Sequence, residues 1–312
     1  MQFAGSPVDA RDNPVELYGT TATGWSPIGN ISIALDRLHP LSDALPTSLM
    51  VTVPRNTTGM VGVMNTGWWG MDVIPQTYNA SFHVNAVNST YWSNMTTTFT
   101  VSIRSNATDE VWAESTIGPV HVDTFRYSNL STSIYNNATA PDGNNTFTVT
   151  FDGEAMSGQT FYFSLFSLFP ETFKSRSPHV EPIAKLTSPD RPNGLRKDLA
   201  EAYYDIKPGF LRCPGGNNIE GPTIQQRFKW FESIGPLENR PGRVGDWGYY
   251  NTGGLGLMEF LYWCEDMEME PVLAVYAGYS LDGTSYPLEY MDEVLQEILD
   301  ELEFCLGNTS TK

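Results

Sequence analysis

The apolar residues of this chain repeat with one period in its first half and another in its second. Up to about Pro170 the period is two. In "FTVSI" Phe99, Val101 and Ile103 alternate with Thr100 and Ser102. In "TFTVTF" Phe147, Val149 and Phe151 do the same, as do Leu49, Val51 and Val53 in "SLMVTV". Short Thr-rich alternating runs separated by Asn, Gly and Pro predict an antiparallel β-sandwich of the jelly-roll kind, with an apolar inner face and a polar outer one. From about Arg191 the period becomes helical. "NGLRKDLAEAYYDI" aligns Leu195, Leu199, Ala202, Tyr203 and Ile206, and "GLMEFLYWCEDME" aligns Leu257, Phe260, Leu261 and Cys264. "YPLEYMDEVLQEILDELEFCLG" aligns Leu288, Met291, Leu295, Ile298, Leu302 and Cys305, with Gly307 as a C-terminal stop.

Between these helices lie two short apolar runs, Phe210–Leu211 and "PVLAVYAGY" from Pro271. Helix, strand, helix, strand, helix is the rhythm of a parallel α/β structure, whose sites lie at the C-terminal ends of the strands. The domains expected are 1–170 (sandwich), 171–190 (a linker) and 191–312 (α/β).

The charge balance narrows the partners. Eighteen Lys and Arg against 36 Asp and Glu leave a net −18, which repels phosphate backbones and makes nucleic acid a poor partner. No apolar run is long enough to span a membrane as a helix. Cys213, Cys264 and Cys305 are too few and too scattered for a disulfide framework or a zinc site. His39, His83, His121 and His179 show no metal-ligand spacing.

Asn-x-Ser/Thr occurs at Asn30, Asn56, Asn79, Asn88, Asn94, Asn106, Asn129, Asn137, Asn144 and Asn308. Nine of these fall within the first 150 residues, a density that points to N-linked glycans on a secreted sandwich. The opening "MQFAGSPVDA" has no basic or apolar leader region, so the expectation is a secreted protein whose signal peptide is not in this sequence.

Four blocks carry a resemblance: "RPNGLRKDLAEA", "PGGNNIEG", "IGPLENRPGRVGDWGYYNTGGLGLMEFLYWCEDM" and "EPVLAVYAGY". With the earlier "GWSPIGN…LDRLHPLSDALP" and "NTGWWGMDVIPQTYNASF", they resemble the fungal α-L-arabinofuranosidases of glycoside hydrolase family 51. The resemblance implies a β-sandwich followed by part of a (β/α)8 TIM barrel. It implies retaining hydrolysis of terminal α-L-arabinofuranosyl groups from arabinose-containing plant polysaccharides or oligosaccharides, without a cofactor or metal.

Such a reaction uses an acid/base glutamate and a nucleophilic glutamate about 5–5.5 Å apart. In the family these come from the fourth strand, in an Asn-Glu pair, and from the seventh. Neither motif occurs here, and the expectation is an inactive chain that lacks the first barrel strand and everything after the third helix. Glu259, Glu265, Glu268, Glu293, Glu297 and Glu301 are expected on solvated helix faces rather than in catalysis.

The resemblance assigns substrate binding to Arg212, Asn217 and Trp247. A guanidinium holds a carboxylate ionised, an amide both donates to and accepts from sugar hydroxyls, and an indole packs on a pentose C–H face. The structural alternatives are an Arg212 paired with a helix acid, an Asn217 that caps a turn, and a Trp247 in the core. Pro214, Gly215 and Gly216 are expected to turn the backbone tightly.

Cys213 replaces an aromatic usual in the family and is expected to leave a gap beneath the pocket. Ser175–Pro189 interrupts segments that related sequences place nearly together, so 171–190 reads as a linker or as an aberrant insertion from gene prediction. A second reading is a carbohydrate-binding protein without catalysis, stacking sugars on Trp68 and Trp69 of the sandwich.

Overall fold

The computed structural model describes residues 22, 24–67, 69–86, 96–123, 125–175, 194–248 and 250–307. These fall into two compact units, which part after Ser175.

The first unit contains β1 (Trp25–Ile28), β2 (Ser32–Asp36), β3 (Ser48–Thr52), β4 (Met60–Asn65) and β5 (Gln76–Ala86). It continues with β6 (Thr96–Ser105), β7 (Val111–His121), β8 (Ser128–Asn136), β9 (Asn145–Asp152) and β10 (Thr160–Phe169). They form two five-stranded antiparallel sheets, ordered β1-β4-β9-β6-β7 and β2-β3-β10-β5-β8. From β3 to β10 each strand crosses to the other sheet, except that β7 pairs beside β6, which is the order of a jelly roll, so the predicted sandwich is the observed one.

The period-two pattern explains the core. Leu49, Val51, Val53, Phe99, Val101, Ile103, Phe147, Val149 and Phe151 are all buried. Rings from the two sheets meet between them, Phe82 with Phe99 at 5.4 Å and Phe151 with Phe161 at 5.0 Å. Burying each such ring stabilises the sandwich by roughly 2–3 kcal/mol.

The outer face is less simple than alternation suggests. On β9, which lies between β4 and β6, Thr146, Thr148 and Thr150 are buried as well. Their hydroxyls are satisfied inside the sheet: Thr148 shares a 2.6 Å hydrogen bond with Ser102, and Thr146 donates to the Arg104 carbonyl. Among the sequon asparagines, Asn30, Asn56, Asn106, Asn129, Asn137 and Asn144 are exposed and Asn79 is half-buried. Asn88, Asn94 and Asn308 lie outside the described residues, as do His179 and most of the expected 171–190 linker.

The second unit follows the predicted rhythm. Helix α1 (Lys197–Asp205) leads to β11 (Phe210–Cys213), the short helix α2 (Gly216–Glu220) and a hairpin of β12 (Arg243–Val244) and β13 (Tyr250–Asn251). Helix α3 (Leu257–Met267), β14 (Glu270–Leu273) and α4 (Met291–Leu306) complete it. Strands β11 and β14 pair in parallel, with Arg212 opposite Val272.

Helix α3 buries Leu257 and Cys264 as its stripe predicts, and half-buries Phe260 and Leu261. The other two helices turn differently. On α1 Ala200 is buried while Leu199, Ala202 and the following Ile206 are exposed, because the half-buried Tyr203 ring, 5.8 Å from Trp263, sets the inward side. On α4 the inward row is Met291, Val294, Ile298, Glu301 and Cys305, and Leu288, Leu295 and Leu302 are exposed. That helix carries two apolar rows, and the cluster of Ile219, Phe228 and Tyr276 selects the one containing Val294.

The expectation of solvated glutamates holds for Glu265, Glu268 and Glu293 and fails for three others. Glu259 receives both terminal nitrogens of Arg240 at 3.0 Å, and its carboxylate also accepts from the Gly256 N–H at the start of α3. Glu297 is held by Arg227 through two bonds of 2.7 and 2.5 Å. Glu301 is buried outright. Each arginine lies far away in sequence, which is why helical spacing alone placed these carboxylates in water.

Candidate functional site

The C-terminal ends of β11 and β14 gather three segments. After β11 the chain passes through a cis Cys213–Pro214 bond into α2, a single turn closed by the Gly221 N–H donating to the Asn217 carbonyl at 2.8 Å. After β14 the loop returns to that turn, where Leu281 N–H donates to the Gly221 carbonyl and the buried Ser280 hydroxyl donates to the Glu220 carbonyl at 2.9 Å. The Arg227 guanidinium lies over the Tyr276 ring at 4.5 Å and braces this loop. The β12–β13 hairpin forms the third segment, joined to α2 by a hydrogen bond from Arg243 Nη2 to Asn218 Oδ1.

The glycine that the backbone requires here is Gly221. Its φ is +67°, and a Cβ would lie 2.5 Å from the Arg227 backbone. Gly215 sits instead in ordinary extended geometry, and a Cβ on either Gly215 or Gly216 would meet open space. The expectation that these two glycines make the tight turn is therefore corrected.

The three residues that the resemblance assigned to substrate binding are all exposed. Arg212 alternates with Cys213 along β11, so one side chain faces solvent and the other the helices. Among the described residues Arg212 has no ion-pair partner. The Asn217 carbonyl closes α2, but its side chain has no hydrogen-bond partner among the described residues. Trp247 is 78% exposed between β12 and β13, which overturns a core role for it. The Arg243–Asn218 bond ties the segments bearing Asn217 and Trp247 together, while Arg212 stands four residues before α2.

Beneath these lies a charged group that sequence reasoning missed. Arg243 is buried against the Phe228 ring at 5.8 Å, and its Nη1 has no hydrogen-bond partner among the described residues. Burial pushes its guanidinium pKa down, against the pull of Asp246 and Glu232. Burial pushes the Asp246 carboxyl up, Arg243 draws it down, and Glu220 raises it further. The "RPGRVGDW" stretch held the only signal, an arginine at 243 and an aspartate at 246 just before Trp247.

The cysteines are also gathered by the fold. Cys213 points away from the exposed face and is buried near the Cys264 thiol. Burial pushes the Cys213 thiol up to about 12, with Cys264, Glu301 and Cys305 adding to the rise. Thiols held so far from ionisation are packing groups. Among the described residues no set of His, Cys, Asp or Glu side chains is arranged to hold a metal ion.

Residues 202–312 match the family described as the alpha-L-arabinofuranosidase 1 domain. The chain is 38% identical over 304 residues to a probable alpha-L-arabinofuranosidase A of Aspergillus terreus, and 39% identical over 309 residues to one of Aspergillus flavus. These matches cover 96% and 97% of this chain and 45% of each relative, so the chain spans under half the length of the relatives it matches. A solved arabinose-bound α-L-arabinofuranosidase of glycoside hydrolase family 51 superposes with a TM-score of 0.83 at 41% identity, over 94% of this chain and 44% of that one.

These matches make the chain a relative of the glycoside hydrolases. Among them, the chain is a relative of the fungal α-L-arabinofuranosidases of family 51.

Proposed function

We propose that this chain is the sandwich and part of the catalytic barrel of a secreted α-L-arabinofuranosidase. The whole enzyme removes terminal, non-reducing α-L-arabinofuranosyl residues from plant polysaccharides by retaining hydrolysis. The observation that carries this reading is the 41% identity to the arabinose-bound family-51 enzyme across nearly all of this chain. The parallel pairing of β11 and β14, each followed by a helix, supports two strand–helix units of a (β/α)8 barrel within 191–312. The exposed sequon asparagines support passage through a secretory compartment with N-linked glycans on the sandwich.

In this reading Trp247 supplies the stacking face, Asn217 reads two hydroxyls, and Arg212 fixes a carboxylate of the reaction centre. The chain carries no catalytic Asn-Glu pair, so it binds the sugar without cleaving it. Incubation of the purified chain with an aryl α-L-arabinofuranoside should release no phenol above background, and L-arabinose should give saturation-transfer NMR signals that Trp247→Ala abolishes. Enzyme-dependent release would overturn the inactive reading. Identical signals from the Trp247 variant would overturn the pocket.

A second reading keeps sugar binding on the sandwich. Trp69 is 94% exposed and held at a φ of 65°, a backbone conformation that non-glycine residues rarely adopt. Its loop is pinned to the neighbouring turn, where the Gly143 carbonyl accepts from Met71 N–H and Asn145 donates to the Met71 carbonyl. A ring presented this way suits stacking on a sugar. Trp68 lies outside the described residues. Affinity electrophoresis in arabinoxylan separates the readings: retardation lost in Trp69→Ala and kept in Trp247→Ala favours the sandwich.

A further inference from the structure

We propose that Arg243 is a positioning residue, a clasp that fixes the segments carrying Asn217 and Trp247 against each other and so sets the width of the sugar site. The inference rests on the reading of this strand end as a pentose pocket.

Three observations carry it. Arg243 is buried although it bears a full charge, a placement that costs free energy to the extent that its donors go unpaired. Its bond goes to Asn218, the residue after Asn217, across 25 positions of sequence. It also stands four residues before Trp247, in a strand whose register with β13 is set by Arg243 opposite Asn251 and Val244 opposite Tyr250. One guanidinium therefore touches α2 while its own backbone starts the turn that presents the indole.

The neighbouring contacts fix the clasp further. Phe228, whose ring lies against Arg243, donates its N–H to the Asn218 carbonyl at 3.3 Å, so Asn218 is held by side chain and backbone at once. Arg243 and Asp246 form no direct ion pair, and Arg243 Nη1 and Asp246 Oδ1 are both buried without a partner. The hairpin is thus tied to α2 by the Asn218 arm and not by a closed pair of its own. Loss of that arm should loosen Trp247 while the sandwich stays intact.

The test uses the whole chain, with Arg243→Met, Asn218→Ala and Asn218→Asp, the last of which keeps an acceptor. Amide exchange is read at Val244, Gly245 and Asp246 and across α2, and L-arabinose is titrated in parallel. Exchange at these sites should rise at least about tenfold in Arg243→Met and Asn218→Ala, with sandwich amides unchanged. Arabinose affinity should fall about tenfold in both and recover in Asn218→Asp, because a loosened site must be reordered on binding.

Unchanged exchange and affinity in both variants would overturn the clasp. Should Arg243→Met unfold the second unit, Asn218→Ala decides. Should the unmutated chain bind no arabinose, the pocket reading fails, and exchange alone still decides whether Arg243 holds the two segments together.

Discussion

Glu301 should make the second unit less stable as pH rises from 4.5 toward about 7. It lies on the inward row of α4, is 4% exposed, and its Oε1 has no hydrogen-bond partner among the described residues. Burial first, and the nearby Glu297 charge second, push its pKa from the usual 4.5 up to about 7. The folded state therefore holds a proton that the unfolded chain has already released. Below the unfolded value both states are protonated and there is no penalty. Between the two values stability falls with each step in pH, and above the folded value the penalty levels off at about 3 kcal/mol.

Glu301→Gln removes the ionisation and keeps the shape. It should raise stability by up to about 3 kcal/mol at about pH 8 and leave it nearly unchanged at about pH 4.5. The assay can be confined to this unit, because all three cysteines of the chain lie between positions 213 and 305, and Cys213 and Cys264 are buried. Labelling with a pyridyl disulfide across a urea series at each pH then reports its unfolding alone. A variant whose midpoint shifts by the same amount at both pH values would refute the reasoning, since the gain would not come from ionisation.

Two further substitutions follow from the same unit. Arg240→Ala strands the half-buried Glu259 carboxylate and removes bonds to the Gly235 and Gly253 carbonyls, so the labelling midpoint should report a loss of about 3–5 kcal/mol. Gly221→Ala forces a side chain into the left-handed region and against the Arg227 backbone, and should cost at least about 2 kcal/mol by the same measurement. In the sandwich, Phe99→Ala empties the space between the sheets and should cost about 3–5 kcal/mol in a thermal melt of the whole chain.

The sandwich was legible because each strand carries its own burial code. Phe99, Val101 and Ile103 need only alternate to declare which side is inward, and the sheet confirms all three. The helices were less legible. The Leu288, Leu295 and Leu302 row of α4 and the Val294 row both satisfy helical spacing, and only contact with Ile219, Phe228 and Tyr276 chooses between them. At the candidate site Arg212 and the block around Asn217 both came from the resemblance. The Cys213–Cys264 contact carried no local pattern, and Arg243 carried only its spacing from Asp246.

By itself, then, the amino-acid sequence determined the two periods, the parallel strand–helix rhythm and the identity of the residues offered at the strand end. These are local properties, written in residues a few positions apart. The tertiary structure alone decided which helix rows face inward, which glutamates leave water, and that Arg243 reaches Asn218 across 25 positions. Burial and pairing of this kind depend on groups brought together from distant parts of the chain, and no spacing rule within one segment carries that information.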